Sequence, residues 1–442
     1  MWPVRRRALR QVAGAAEAGG APQRARGQRA PGLLQTLRGD VTTPRHYLGF
    51  NVWLCRLVGL LPRPGQPLWA TIQPLVWSCL LMHLLCELAD IGLNITDVQQ
   101  LGKNLPVSSL VGGSWYRLSY FTLRRDAYWR LVSKVGESFR RGAPGRMRRW
   151  LRRSRAYTLV YFVYGTIVCL FWLGHPLLIQ QTTHTMFSTN STNHSRMSET
   201  AEFPSGAWYP FDVRERRVYG AVYAFQCLAI YFAGMLIMVT DIMFITLMLL
   251  TCGQFEELGD KLRNCWEIAA ARTLRREGTT QERELHKVVA HCVQYHDMLL
   301  RIVGDIEDLH WTSMLVNFVL QLIILSFSAF EATASADLAS PLKGTNLVTY
   351  LVLAIFQLFL LCRCGDKLME AEEAVSSAVY ESQWFEAPQS AKRSLGVIVM
   401  RSRLPQRVTV GKLVGLNLVT FSETLSRAFS YFTVLRQIRT SN

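Results

Sequence analysis

Charged side chains are scarce in this sequence. Of its 442 residues only 18% are Asp, Glu, Lys or Arg, whereas soluble domains usually contain about 25%. Half of the residues are hydrophobic, and the mean hydropathy is positive. The length alone would allow two or three soluble domains, but this composition argues against them.

Sequence motifs of common enzyme classes are also missing. The chain has no Gly-rich phosphate-binding loop, no Gly-x-Ser-x-Gly nucleophile turn and no His-Glu-x-x-His zinc motif. His286, His291 and His296 recur every five residues, and this spacing drifts around a helix instead of sharing one face. We therefore expect no enzyme activity, no cofactor and no bound metal.

The first 45 residues lack the apolar core of a secretory signal. They are rich in Arg, Ala, Gly and Pro, a composition that predicts a disordered basic tail. A transit peptide is the alternative interpretation. The folded part of the chain is expected to begin after this tail.

Long apolar segments are what the sequence has in abundance. A helix needs about 20 apolar residues to cross a bilayer. Five blocks approach or exceed this length, namely 69–88, 156–179, 218–250, 311–330 and 347–361. Two weaker candidates that contain charged residues are 98–121 and 413–435. The prediction is an all-α protein, a bundle of seven transmembrane helices that lies in a lipid bilayer.

Basic residues are concentrated on one side of this predicted bundle. Segments 1–68, 122–155, 253–308 and 363–412 hold 39 of the 49 Lys and Arg residues. Residues 140–155 contain eight arginines and no acid. Because cytoplasmic loops are enriched in Lys and Arg, we expect a cytoplasmic N-terminus and, after seven crossings, an extracellular C-terminus. The net charge of +17 then reflects membrane topology, and nucleic-acid binding is not expected.

The loops on the opposite side agree with this orientation. Loop 180–217 contains two glycosylation sequons, which begin at Asn190 and Asn193. None of the ten cysteines lies in a predicted outside loop. We therefore expect no extracellular disulfide.

Several helices should extend beyond the membrane into the cytoplasm. Block 218–250 would be about 50 Å long as a helix, whereas the hydrocarbon core is about 30 Å thick, so Asp241 should lie near its inner boundary. The chain is accordingly divided into a basic tail (1–45), helices 1–4 (46–252), a cytoplasmic extension (253–310), helices 5–6 (311–366), cytoplasmic helices (367–411), and helix 7 with an extracellular C-terminus (412–442).

The last predicted helix carries two charged residues. Glu423 and Arg427 stand four residues apart, with the acid first, which is the better order for an ion pair on a helix. Charges at membrane depth usually face a bundle interior or a water-filled path. A purely structural pair within the helix is the equal alternative.

A stripe of small, polar and aliphatic residues follows on the same helix. It suits a pore wall with a hydrophobic constriction, although the periodicity alone favours ordinary packing. Its members are Ser430, Val434, Gln437 and Ile438.

An ordered set of segments resembles the insect odorant receptors. Three lie in the middle of the chain, "WYPFD" (208–212), "GQFEELGDKLRN" (253–264) and "LHKVVAHCVQYHDMLLRIVGDIED" (285–308). Three more follow near its end, "CGDKLMEAEEAVSSAVYESQWFEAP" (364–388), "SLGVIVMRS" (394–402) and "FSYFTVLRQI" (429–438). No single segment decides the resemblance, but their order and spacing do. The resemblance as a whole covers roughly residues 40–440.

The resemblance implies an odorant-gated, non-selective cation channel in the plasma membrane of sensory neurons. It implies heterotetramers with an odorant-receptor co-receptor, a last helix that lines the central pore, and cytoplasmic helices that form an anchor layer between subunits. Carried over by position, Val434 and Ile438 match the aliphatic constriction, with Gln437 between them. The loop before the fifth helix is shorter than that of the co-receptor, which indicates a tuning subunit.

The resemblance also implies an odorant site in the outer half of the membrane, among the second, third, fourth and sixth helices. A volatile ligand is small and mostly apolar, so its site should be an aromatic and aliphatic cavity with a few polar groups. The candidates are Ser109, Gly113, Tyr164, Val168, Phe171, Trp172, Tyr223, Cys227, Tyr231 and Tyr350.

Three other functions remain as alternatives. A gustatory-type receptor is a related channel, but the segments at 208–212 and 380–388 favour the odorant branch. A G-protein-coupled receptor requires the opposite orientation, and its Asp-Arg-Tyr and Asn-Pro-x-x-Tyr motifs are missing. A membrane enzyme would require catalytic groups gathered at one membrane depth, which the sequence does not indicate.

Overall fold

The fold comes from a computed structural model, in which the structure describes residues 49–60, 67–140, 144–186, 203–213, 215–275, 279–336 and 341–441. The predicted basic tail and the sequons at Asn190 and Asn193 lie outside these residues. The described chain is almost entirely helical, so the all-α prediction is confirmed.

Eleven α-helices are present in the described residues. The first six are α1 (Gly49–Leu57), α2 (Pro67–Leu93), α3 (Val98–Leu123), α4 (Arg125–Arg140), α5 (Pro144–Met186) and α6 (Arg216–Arg263). The others are α7 (Cys265–Arg275), α8 (Gln281–Ala336), α9 (Pro341–Glu381), α10 (Gln389–Ser402) and α11 (Leu418–Ser441). A short 3₁₀ turn, Trp384–Glu386, precedes α10.

Five of these helices are long and apolar enough to cross a membrane, namely α2, α5, α6, α8 and α9. They contain the five apolar blocks predicted from the sequence. Helices α3 and α11 correspond to the two weaker candidates, which contain more polar residues. A helix satisfies its own backbone N–H and C=O groups, and for that reason helices can span a bilayer.

Helix α6 forms the centre of the bundle. It packs against α2, α3, α5, α8 and α9, and its most apolar stretch is buried almost throughout. A helix that is hydrophobic on all sides is stable only inside a bundle or a membrane. At about 72 Å for 48 residues, it is also longer than a bilayer core, as the sequence predicted.

The ends of the long helices continue into a second helical layer at one end of the bundle, here called the extension end. Helix α7 packs against α8, and α10 packs against both α8 and α9. Arg263 on α6 pairs with Glu381 on α9. The opposite end carries residues 203–213 and is here called the loop end.

A two-stranded hairpin interrupts the all-α pattern before α11. Strand β1 (Thr409–Val410) pairs antiparallel with β2 (Val414–Gly415). The turn requires positive φ at Gly411 (67°) and Lys412 (60°), and the Gly411 N–H donates to the Trp311 carbonyl. Sequence periodicity did not predict these short strands, because two-residue strands carry no repeat.

Helix α11 lies at the edge of the bundle and packs against α8 and α9. One stripe of the helix is buried, with Thr420, Thr424 and Ala428 four residues apart. The other side is exposed in the single chain and includes Phe429, Tyr431 and Val434. The described residues of one chain therefore leave a broad face of this helix uncovered.

Helix α9 passes very close to the segment that leads into α11. A methyl group on Gly365 would overlap the backbone carbonyl oxygen of Leu416, which cannot move independently. We therefore expect Gly365→Ala to lower the free energy of unfolding by about 1–3 kcal/mol. Thermal unfolding of the purified protein in detergent measures the change.

The control is Gly396→Ala on α10. Gly396 is exposed, and no atom would meet its added methyl group within 4 Å. Alanine is the better helix former by about 1 kcal/mol, so this variant should unfold at an equal or higher temperature. Equal destabilisation by the two substitutions would contradict the close contact at Gly365.

Candidate ligand-binding site

A cavity lies among α3, α5, α6, α8 and α9. The centre of a water-sized sphere can move through about 80 Å³ of this cavity. By the same measure one water molecule needs ~10–15 Å³, so the cavity is several times larger than a single water site. Most of its lining is aliphatic or aromatic. The lining residues on α3 and α5 are Val107, Ser109, Leu110, Gly113, Arg117, Tyr161, Gly165, Val168, Cys169 and Trp172.

The remaining walls come from the three other helices. On α6 they are Ile230, Gly234, Ile237 and Met238; on α8, Val316, Asn317, Leu320, Gln321 and Ile324; on α9, Tyr350, Leu353, Ala354 and Gln357. The lining on α3 runs from Val107 to Arg117, which is about 15 Å along a helix. The cavity is thus elongated along the bundle.

The two ends of the cavity differ in chemistry. Helices α3 and α5 run in opposite directions, so Arg117 and Tyr161 lie at the end nearer the extension layer, and Val107 and Trp172 lie at the end nearer the loops. The first end is here called the polar floor. Glycines at 113, 165 and 234 on three of the helices line the space between the two ends.

An ion pair between α3 and α6 forms the polar floor. Arg117 Nη1 donates to Asp241 Oδ1 at 2.7 Å, and the side chains are only 3% and 1% exposed. Nη1 also donates to Thr240 Oγ1 at 2.8 Å, and Nη2 donates to Asn317 Oδ1 on α8 at 2.6 Å. Buried charges need this degree of pairing, since desolvation of each ion is costly.

Two further helices complete the coordination of the Asp241 carboxylate. Gln357 Nε2 on α9 donates to Asp241 Oδ2 at 2.6 Å, and the Tyr161 hydroxyl on α5 donates to the same oxygen at 3.3 Å. The polar floor thus joins all five helices that surround the cavity. Both carboxylate oxygens are occupied by donors from the protein.

Aromatic side chains close the other end of the cavity. The rings of Trp172 and Tyr350 lie 5.3 Å apart between centroids. Trp172 Nε1 donates to the carbonyl oxygen of Pro204, in the loop-end segment, at 3.2 Å. Trp172 is therefore held in place by both a neighbouring helix and a loop.

Trp172 also lines a second, more polar cavity near the loop end. That cavity is lined by Asp90, Asn104, His175 and Glu331, among others. The centre of a water-sized sphere can move through about 380 Å³ of it. The indole therefore borders both spaces.

Five of the ten predicted ligand-binding residues line the elongated cavity, namely Ser109, Gly113, Val168, Trp172 and Tyr350. The other five predicted residues do not line it. Tyr164 packs edge-on against Phe356, and Phe171 against His175. The Tyr223 hydroxyl donates to the Leu173 carbonyl at 2.5 Å. Cys227 is partly buried, and Tyr231 packs against Phe232.

Sequence reasoning missed the contribution of α8 and the composition of the polar floor. Arg117 and Asp241 were each visible as a charge within an apolar block, which is an unusual feature in a membrane helix. Their pairing depends on how α3 and α6 are rotated about their axes. Asn317, Gln321 and Gln357 gave no signal, because uncharged polar residues are common in apolar helices.

The predicted pore residues lie on the uncovered face of α11. Val434 is 54% exposed and Ile438 is 41% exposed in the single chain, while Ser430 and Gln437 are also exposed. Glu423 and Arg427 form their predicted pair at 3.6 Å, and both side chains are more than half exposed. The pair thus faces away from the core of this chain.

Among the described residues, no group of three or more His, Cys, Asp or Glu side chains could hold a metal ion. A mostly apolar cavity with a few polar groups, lying between the helices of a bundle, has the form of a small-ligand site. The family model described as "7tm Odorant receptor" matches residues 97–429. Because this match covers most of the chain, the protein belongs to the odorant receptor family.

Individual relatives agree with this assignment. The chain is 25% identical over 238 residues to odorant receptor 67c of Drosophila melanogaster, which covers 53% of this chain and 55% of that one. The match to putative odorant receptor 85d is 30% over 144 residues and about a third of each chain. The chain thus spans about half or less of the length of these two relatives. The odorant receptor coreceptor of Anopheles gambiae is 19% identical, over 90% of this chain and 99% of the coreceptor.

The fold is similar to solved structures of the insect olfactory receptor OR5 from Machilis hrabei. The structure in complex with eugenol superposes with a TM-score of 0.75, at 18% identity, over 90% of this chain and all of that one. The structure described without eugenol gives a TM-score of 0.73 at 17% identity, over 91% of this chain and all of the other. This similarity establishes the shared fold, and the resemblance seen in the sequence is confirmed.

The buried ion pair predicts a specific pattern of mutational effects. Arg117→Met and Asp241→Leu should each lower the free energy of unfolding by about 3–5 kcal/mol, because each leaves a desolvated charge unpaired. The double variant should cost less than the sum of the two single changes. Thermal unfolding of the purified variants measures the coupling.

Lys134→Met is the matched control. Lys134 on α4 pairs with Asp305 on α8 at 2.5 Å, but both side chains are more than a third exposed. Exposed pairs contribute at most about 1 kcal/mol, so this variant should unfold near the unmodified protein. Additive effects of the Arg117 and Asp241 changes would count against the pair as a coupled unit.

Proposed function

We propose that this protein is the odorant-binding subunit of a ligand-gated cation channel, assembled with an odorant-receptor co-receptor in the plasma membrane. The elongated cavity carries this proposal. It is enclosed by five helices, its lining is mostly apolar, and its polar groups are concentrated at one end. Such a site suits a small volatile molecule with a few polar atoms.

The orientation is proposed from the distribution of basic residues. Among the described residues, the extension end carries most of the Lys and Arg residues, including the arginines of 144–155, and these mark the cytoplasmic side. The N-terminus is then cytoplasmic and the C-terminus extracellular. The aromatic end of the cavity, at Trp172 and Tyr350, then lies toward the extracellular side, and the polar floor lies toward the cytoplasm.

The uncovered face of α11 supports a role in the pore. A helix that exposes Phe429, Val434 and Ile438 needs either lipid or neighbouring subunits against it. The Glu423–Arg427 pair on the exposed side favours neighbours or water over lipid, since charges in hydrocarbon are costly. In a tetramer, Val434 and Ile438 would form the constriction, with Ser430 and Gln437 beside it.

Direct contacts connect the cavity with α11. Gln321 and Ile324 on α8 line the cavity, and Ser326, two residues further on, has its hydroxyl 3.2 Å from the Ala428 carbonyl oxygen of α11. On α9, Phe359 packs edge-on against Phe421 of α11 at 5.8 Å. A ligand that shifts α8 or α9 would therefore move α11.

The proposed mechanism is a shift between closed and open arrangements. The odorant binds the open arrangement more tightly, and this difference in affinity is all that it can contribute to opening. Movement of α11 takes Val434 and Ile438 away from the pore axis. The constriction then fills with water and conducts cations.

Membrane current in a heterologous cell tests the function. The full chain is expressed alone and together with an insect odorant-receptor co-receptor, and a broad panel of volatile compounds is applied while G-protein signalling is blocked. A cation current that requires both subunits and survives the block is expected. Cells that express the co-receptor alone are the control, because any current in these cells does not depend on this chain.

Two outcomes would contradict this proposal. Responses that disappear under the block would indicate a G-protein-coupled receptor. Non-volatile tastants are applied in a second series, and currents evoked by these alone would indicate a gustatory-type receptor. Surface labelling of the expressed chain verifies that it reaches the plasma membrane.

The constriction predicts a leak phenotype. Val434→Ala should increase the current without ligand, because it removes two methyl groups from a narrow aliphatic ring and lowers the barrier to water entry. The measurement is the ligand-independent current per surface-expressed channel. Val160→Ala on α5 changes a valine of similar exposure, 56%, away from α11 and should leave the leak unchanged. An unchanged leak in Val434→Ala would exclude Val434 as part of the gate.

A further inference from the structure

One hydrogen-bond donor at the polar floor has no partner. Asn317 on α8 lines the cavity and is 7% exposed. Its Oδ1 accepts from Arg117 Nη2, but its Nδ2 has no hydrogen-bond partner among the described residues. A buried donor without a partner costs about 1–3 kcal/mol, so this group requires an explanation.

The orientation of the Asn317 amide is fixed by its neighbour. An arginine side chain has only donors, so the amide oxygen must face Arg117 and the amide nitrogen must face away from it. Arg117 is itself held by Asp241 and Thr240. The Nδ2 donor is thus fixed in direction, and a rotation of the amide would place N–H groups against N–H groups.

The surrounding groups limit what can accept this hydrogen bond. Both Asp241 oxygens are occupied by Arg117, Gln357 and Tyr161. Beside Asn317 on α8, Val316 and Leu320 are apolar, and the Gln321 amide is engaged through its Nε2 with the Ala354 carbonyl. No acceptor among the described residues reaches Nδ2, so a molecule in the cavity is placed to supply one.

We propose that the cavity selects small, mostly apolar ligands that carry a carbonyl oxygen, and that Asn317 Nδ2 donates a hydrogen bond to this oxygen. This inference rests on the proposed function, since it specifies the ligand class of the same site. The apolar part of the ligand then extends from the polar floor between Gly113 and Val168 toward Trp172 and Tyr350.

The charge pattern of the polar floor disfavours the other ligand classes. A carboxylate would find no free cation, because Arg117 is already neutralised by Asp241. A protonated amine has only donors and offers Asn317 Nδ2 no acceptor. A hydroxyl oxygen can accept from Nδ2, but its own O–H must then find an acceptor as well, which a carbonyl oxygen does not require. A hydrocarbon leaves Asn317 Nδ2 without an acceptor and gains only apolar contacts.

Matched pairs of probes test the selection. 2-Heptanone is compared with 2-methyl-1-heptene, and acetophenone with α-methylstyrene; each pair differs by the replacement of the carbonyl oxygen with a methylene group. Binding to the purified full-length chain is measured as the ligand-dependent rise in unfolding temperature. We expect the carbonyl member of a pair to bind about tenfold more tightly.

Asn317→Asp identifies the donor. The substitution preserves the size of the side chain and an acceptor for Arg117, but it removes the N–H group. It should weaken binding of the ketone about tenfold and leave the alkene unchanged. Asn51→Asp is the control, since Asn51 is also buried and hydrogen-bonded, to Thr246, but lies outside the cavity.

The proposal is overturned if both members of the pairs bind equally, if the preference persists in Asn317→Asp, or if no carbonyl probe binds. Equal binding or no carbonyl binding would assign the Asn317 donor to a bound water, and a persistent preference would assign the carbonyl to another donor. Because binding is measured without channel activity, this inference and the proposed function can fail independently of each other. An odorant-evoked current without a carbonyl preference keeps the proposed function and rejects this inference. A carbonyl preference in binding without any odorant-evoked current keeps this inference and rejects the proposed function.

Discussion

The ion pair between Arg117 and Asp241 is the interaction on which the rest of the bundle depends. It lies where water is excluded, so neither charge is tolerable without the other. The contacts that satisfy it come from Tyr161, Asn317 and Gln357, each on a different helix. The pair therefore defines the relative depth and rotation of five helices, and the cavity lies directly beside it.

This arrangement gives the cavity its two chemical properties. The walls are apolar because helices that cross a membrane consist mostly of hydrocarbon side chains. The floor is polar because amide and hydroxyl groups form hydrogen bonds with the ion pair. A ligand at this position contacts α8 and α9, and both helices contact α11 through Ser326 and Phe359. Under the proposed function, ligand recognition and gating share these two helices, with no mobile loop required between them.

Much of the fold was predictable from local features of the sequence. Apolar blocks of sufficient length indicate crossings, and their order gives α2, α5, α6, α8 and α9. The site was predicted only in part. Ser109, Gly113, Val168, Trp172 and Tyr350 line the cavity, whereas Tyr164, Phe171 and Tyr223 contact other parts of the bundle. The aromatic character of a ligand site is visible in a sequence, but the side of the helix on which each ring lies is not.

The sequence by itself determined the class of the protein, the number and order of its apolar helices, and the asymmetry of its basic residues. Each of these depends on composition or on spacing along one helix. Only the tertiary structure decided that Arg117 meets Asp241, that α8 forms a wall of the cavity, and that the Asn317 amide nitrogen has no hydrogen-bond partner among the described residues. The reason is physical, because contacts between helices depend on axial rotation and offset, which are set by packing against all neighbours at once.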